Sequence, residues 1–183
     1  MLKPLSRTAI GLTSLLLSAT LFAADYTIDK KGQHASINFK ASHLGYSFII
    51  GRFNDFSGDF SHDKDKPGGA SVNVIIQAKS IDTNHAARDR HLRSEDFFNV
   101  DKYPEITFNS TAFDGSKLVG DLTLHGVTRS VSMDVSHIGE GKDPWGGYRS
   151  GFAASTALNA ADFGMPDWVG TVDVEIHIEG VRK

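Results

Sequence analysis

Cysteine is missing from all 183 residues of the chain. Its absence excludes a disulfide framework and a lipid-anchored N-terminal cysteine, and leaves stability to a packed core. No apolar run reaches the roughly 20 residues that a membrane-spanning helix needs. The best candidate, Ala9 to Leu17, is short and is interrupted by Thr13 and Ser14. An excess of positive charge is lacking as well. Of 19 Lys and Arg, Lys3 and Arg7 fall in the leader described below, which leaves 17 against 22 Asp and Glu, a net charge of −5. Such a surface repels a phosphate backbone, so nucleic acid is not an expected partner. The motifs H-E-x-x-H, G-x-S-x-G, G-x-x-x-x-G-K and G-x-G-x-x-G do not occur, which removes the commonest signatures of zinc hydrolases, serine nucleophiles and phosphate-binding loops. With no internal repeat, low-complexity tract or linker, residues 24–183 read as one domain, long enough to bury a substantial core.

What is present begins with a leader. Lys3 and Arg7 precede the apolar stretch, and small residues lead to Ala23-Ala24. That is the layout of a secretory signal peptide over residues 1–23. Beyond it, strict alternation recurs, which places one set of side chains on each face of a strand. Ala35, Ile37, Phe39 and Ala41 alternate with Ser36, Asn38, Lys40 and Ser42; Ala70, Val72, Val74, Ile76 and Ala78 alternate with polar partners except at Ile75; Val172, Val174, Ile176 and Ile178 oppose Thr171, Asp173, Glu175, His177 and Glu179. Weaker versions at 48–60, 105–110, 117–124, 127–135 and 148–158 bring the total to about eight strands. A parity switch between Phe53 and Phe56 predicts a β-bulge around Asn54-Asp55. Turn signals at 66–69, 114–116, 125–126 and 143–147 argue for an antiparallel barrel or sandwich. The segment from Asn84 to Phe98 lacks alternation, and with Asn84 as N-cap it reads as a short helix over about 84–97, lying across the barrel or closing one end. Trp145 and Trp168 read as packing anchors at the rim.

Alternation alone leaves open which face is inside, because an outer-membrane barrel alternates too. Full charges on the polar faces (Lys40, Lys79, Asp173, Glu175, Glu179) and several strands too short to span a bilayer favour an apolar interior, without stable membrane insertion. A barrel of about eight strands is near the size at which side chains either fill the interior or leave room for one small ligand. Each inward Phe is compatible with plain packing, whereas small neighbours such as Ala41, Gly120 and Ala154 favour unfilled space. Strand parity assigns the interior to Phe39, Phe53, Phe108, Leu122, Leu124, Met133, Phe152, Val174 and Ile176. Burying one CH₂ gains roughly 0.8 kcal/mol, while association costs an estimated ~4–15 kcal/mol. Only a chain of well over ten carbons binds tightly by burial, which points to a lipid tail. The rival site is the polar segment 82–97. His85 and His91 stand about 600° apart around a helix and share no face, and His85 with Asp89 lacks a third ligand, so no metal and no cofactor are expected there or elsewhere in the chain. Two readings of this segment stand: Arg–carboxylate pairs tying the helix to the barrel, or a hydrolase-type enzyme with His85, Asp89 or His91 as acid–base groups.

Several motifs taken together carry a resemblance. His43-Leu44-Gly45-Tyr46, the run from Asp82-Thr83-Asn84-His85 through Arg88, Asp89, His91, Leu92 and Arg93, Tyr103-Pro104, Gly120 to Leu124 with Gly126-Val127-Thr128, and Asp143-Pro144-Trp145-Gly146-Gly147 resemble the YceI family over essentially the whole mature chain. The resemblance implies a lipocalin-like antiparallel barrel in the periplasm, often a homodimer. It further implies a ligand that is a polyisoprenoid or fatty-acyl lipid, no catalysis, and roles in isoprenoid transport or storage or in the stress response. It supplies no site residues; the nine interior positions rest on strand parity.

Overall fold

The computed structural model describes residues 23–183 apart from Gln33; the leader expected over residues 1–23 lies outside the described residues but for Ala23. Eleven β-segments are present among them: β1 (Ala24–Ile28), β2 (Ser36–His43), β3 (Ser47–Phe53), β4 (Phe56–His62), β5 (Ser71–Gln77), β6 (Ile81–Asp82), β7 (Glu105–Phe113), β8 (Lys117–Leu124), β9 (Val127–Lys142), β10 (Tyr148–Asn159) and β11 (Thr171–Arg182). They make eight staves, because three staves are each broken in two. β1 and β2 succeed one another along β11, with Ile28 opposite Gly180 and Ser36 opposite His177. β4 and β3 follow along that stave, and β5 and β6 along the next. β7, β8, β9 and β10 complete an antiparallel meander that closes on β11. The barrel expected from alternation is therefore closed through the β1–β11 pairing, while β6 and the Ser47–Gly51 part of β3 keep a ladder partner on one side only.

The break between β3 and β4 falls at Asn54-Asp55, as the parity switch predicts, so Phe53 and Phe56 both point inward and are buried. The backbone there stays satisfied by leaving the ladder: Asn54 N–H donates to the Ser80 carbonyl and Gln77 N–H to the Asp55 carbonyl. β1 has no counterpart among the expected strands. Its five residues are too few for an alternation signal, and it is fixed by pairing on both sides with β4 and β11. Ile75, the exception within β5, faces outward and is exposed.

Helix α1 (Ala86–Arg93) is shorter than expected and its N-cap is His85, not Asn84. Asn84 adopts a left-handed conformation (φ 59°), and the His85 Nδ1 atom accepts from the Arg88 N–H at 3.1 Å. Ser94 ends the helix, its N–H and hydroxyl both donating to the His91 carbonyl. The expected rim anchors Trp145 and Trp168 are not packed in: both are about three-quarters exposed. Trp145 lies over the Arg149 guanidinium and Trp168 meets the Phe97 ring edge-on, so each is held by one neighbour and open to water elsewhere.

Two features govern the barrel wall. The first is an ion cluster on its outer face where β1 meets β11. Arg149 donates to Asp29, to Asp143 Oδ2 at 2.8 Å and to Glu179 Oε1 at 2.6 Å, with the Asp29 and Asp143 carboxylates nearly buried. Arg149, with help from the backbone N–H of Gly32 and Gly147, holds both carboxyls below the ordinary aspartate value, and the guanidinium is itself raised. The second is a ring laid flat against glycine. Phe39 lies against Gly51 on the neighbouring strand so closely that a Cβ at residue 51 would overlap the ring, and Phe108 lies likewise on Gly120. Large inward rings thus run along the wall and not across the lumen.

Two outcomes follow for stability. Arg149→Met leaves three carboxylates without their cation and is expected to cost about 3 kcal/mol in urea unfolding at pH 7. Because Asp29 and Asp143 titrate lower in the folded than in the unfolded chain, their stabilisation is present above pH ~4 and disappears as the pH falls through the lowered folded values. The gap between Arg149→Met and the wild type is therefore expected to narrow in acid, and a gap constant from pH 7 to pH 3 would contradict this assignment. Gly51→Val is expected to cost about 1–3 kcal/mol by displacing the Phe39 ring, whereas Gly139→Val, with open space around the new side chain, is expected to be nearly neutral.

Candidate functional site

The interior of the barrel is not filled. A cavity of about 820 Å³ runs along it, bounded almost wholly by carbon. All nine positions assigned by strand parity line this cavity: Phe39 from β2, Phe53 from β3, Phe108 from β7, Leu122 and Leu124 from β8, Met133 from β9, Phe152 from β10, and Val174 and Ile176 from β11. The same parity reaches further lining residues, Ile37, Ala41, Val72, Leu158 and Val172. The structure adds others that no periodicity marks. Phe97 and Phe98 come from the turn after α1, and Phe163 and Met165 from a 3₁₀ turn and the bend that follows it between β10 and β11. These four close the wall near the helix, where strand alternation has already ended.

Polar groups are confined to the ends. At the helix end the lining passes from Leu92 and Phe98 to Arg88 and His91, and to the β2–β3 turn at His43, Leu44 and Gly45. Leu44 and Gly45 both have left-handed φ values (55° and 75°), which turns the chain tightly and presents Leu44 to solvent. Trp168, edge-on to Phe97, stands on the same rim and is also exposed. The mouth is thus aliphatic below, with imidazole, guanidinium and indole at the water boundary.

The residues of the rival acid–base reading are largely committed to local structure. His85 caps α1. Asp89 is buried and accepts from both the N–H (2.9 Å) and the hydroxyl (2.6 Å) of Thr83. His91 sits 3.4 Å from Asp96 and edge-on to Phe97. Of the three, His91 alone lines the cavity. The arginines do tie the helix to the barrel, but not through carboxylates as expected. Arg88 donates to the hydroxyl and carbonyl of Thr83, and Arg93 to the carbonyls of Lys79 and Ile81. The physical reason is the break between β5 and β6: carbonyls displaced from the ladder need donors, and the guanidinium fork supplies them.

Among the described residues, one group inside the wall answers to no sequence expectation. Behind Phe60 and Phe152, which line the cavity and meet edge to face at 5.5 Å, lie His62, His137 and Glu140. They are distant in sequence and share no recognisable spacing, so only the folded arrangement brings them together.

Comparison with known proteins places this barrel. Residues 26–180 match the family model described as the YceI-like domain. A UPF0312 protein of Vibrio campbellii is 55% identical over 168 residues, covering 88% of this chain and 89% of its own length. Among solved structures, BcnA of Burkholderia cenocepacia superposes with a TM-score of 0.72 at 21% identity, over 83% of this chain and 98% of its own. A polyisoprenoid binding domain from Saccharophagus degradans superposes with a TM-score of 0.65 at 17% identity, over 88% and 100% of the two chains. The family match over nearly all of the described chain and the identity to the Vibrio protein agree with the closed eight-stave barrel, and the chain belongs to the YceI-like domain family.

Proposed function

We propose that this protein is a periplasmic binding protein that carries one long-chain amphiphilic lipid, of polyisoprenoid or fatty-acyl type, and performs no catalysis on it. The observation that carries the proposal is the continuous apolar cavity of about 820 Å³. At about 30 Å³ per water-sized group, it holds roughly two dozen carbons. At roughly 0.8 kcal/mol for each buried CH₂, such a tail gains roughly 20 kcal/mol before losses, more than the ~4–15 kcal/mol cost of association. A short or polar ligand recovers too little from these walls. The tail lies among Phe39, Phe53, Phe108, Leu122, Leu124, Met133, Phe152, Val174 and Ile176, and the head sits at the mouth near Arg88 and His91. The resemblance in fold to a domain named for binding a polyisoprenoid supports the choice of ligand class, and the layout of residues 1–23 supports export.

Organic extraction of the purified protein is expected to release close to one apolar chain per protein, seen by mass spectrometry. Protein stripped in this way is expected to take up a fluorescent long-chain lipid analogue. Ala154→Trp places a large ring in the lumen and is expected to weaken that uptake about tenfold or more while the barrel stays folded by circular dichroism. A preparation with no extractable lipid that also ignores the analogue would overturn the proposal.

A further inference from the structure

The side chains behind Phe60 and Phe152 are arranged by a defect in the sheet. β9 and β10 pair with Gly139 opposite Gly151 and His137 opposite Phe152, so Ile138 has no partner and bulges. Residues three apart in a regular strand point to opposite faces. The extra residue cancels that offset and puts His137 and Glu140 on the same, inner, side. His62, the last residue of β4, reaches them from across the barrel. One donor atom from each of the three lies within 4.8 Å of the others, with His62 Nε2 at 3.9 Å from Glu140 Oε2 and the two imidazole rings 4.8 Å apart.

His62 is the anomaly. Its side chain is 5% exposed, yet neither ring nitrogen has a hydrogen-bond partner among the described residues. A buried polar atom without a partner is rare in a folded protein, and a bound ion is one way in which such an atom is satisfied. The other two groups are already aimed. Tyr148 Oη donates to Glu140 Oε1 at 3.1 Å, and Ser150 Oγ, wholly buried, lies 3.2 Å from His137 Nε2. Such outer partners orient ligands in metal sites. The second such cluster among the described residues, Asp29 with His34 and Glu179, differs in the decisive respect: the Arg149 guanidinium already supplies its cation.

We propose that His62, His137 and Glu140 bind a divalent transition-metal ion, with Zn²⁺ the best fit. Two imidazole nitrogens and one carboxylate oxygen are a donor set for Zn²⁺ and its neighbours, and not for Mg²⁺ or Ca²⁺, which prefer oxygen alone. Zinc bonds of about 2.0–2.2 Å require His62 and Glu140 to draw together by less than an ångström. His137 is exposed, so the fourth position opens to water. The site is separated from the cavity by Phe60 and Phe152 and does not depend on the lipid reading.

The test is calorimetric titration of the mature protein, without a histidine tag and freed of metal by chelation, with Zn²⁺ and separately with Mg²⁺. One Zn²⁺ per chain is expected to bind, with no binding of Mg²⁺. His137→Gln and Glu140→Gln, at positions that reach solvent and leave the core intact, are each expected to weaken Zn²⁺ binding about 100-fold or more, beyond the 10–100-fold typical of outer partners. Tyr148→Phe is expected to weaken it about tenfold, and His34→Ala to leave it unchanged. Co²⁺ in place of Zn²⁺ is expected to give visible absorption bands that vanish in Glu140→Gln. Absence of saturable Zn²⁺ binding, binding indifferent to both His137→Gln and Glu140→Gln, or binding lost in His34→Ala would overturn the proposal.

Discussion

The constraint on which the molecule depends is closure: β11 must pair along one edge with β10 and along the other with β1 and β2 in succession. A sheet of eight staves that closes has a fixed bore, set by strand number, tilt and stagger. The side chains of its inner face must then either fill that bore or stand back from it. Here they stand back. Rings that elsewhere would meet at the axis are laid along the wall where glycine on the next strand makes room. The apolar interior is consequently both core and container. Its walls pack against one another around the circumference, while the axis keeps a continuous space.

Much of this was legible in the residues. Period-two alternation at 35–41, 70–78 and 171–179 identified the inward face, and the nine positions read from it all line the cavity. The parity switch at Phe53 and Phe56 located a break in a stave from sequence alone. What escaped was whatever depends on pairing and not on pattern. β1 carries too few residues to show a period. The distal part of β9, Ser136 to Lys142, is polar and glycine-rich, and its bulge at Ile138 destroys the phase on which a reading would rely. Phe163 and Met165 reach the cavity from turns, where side-chain direction follows individual dihedral angles and no repeat exists to be read.

The helix segment illustrates a different limit. Its density of His, Asp and Arg was plain, but the partners of those groups could not be named. The arginines serve carbonyls released by a broken stave, and the aspartate serves a buried threonine. Charged residues near a cavity are therefore not by themselves a catalytic signal: an irregular backbone consumes donors and acceptors of its own. Among the described residues, the buried side chain that local structure leaves unclaimed is instead His62, in a strand, beside two side chains brought to it by a bulge.

The three broken staves are consecutive neighbours in the barrel, and their interruptions at 29–35, 54–55 and 78–80 lie side by side. They form a crease across one flank of the wall, whereas β7 to β11 run through without such a break. Local opening takes the least work where ladder bonds are fewest. By this count of ladder bonds the creased flank opens more readily than the flank formed by β7 to β11.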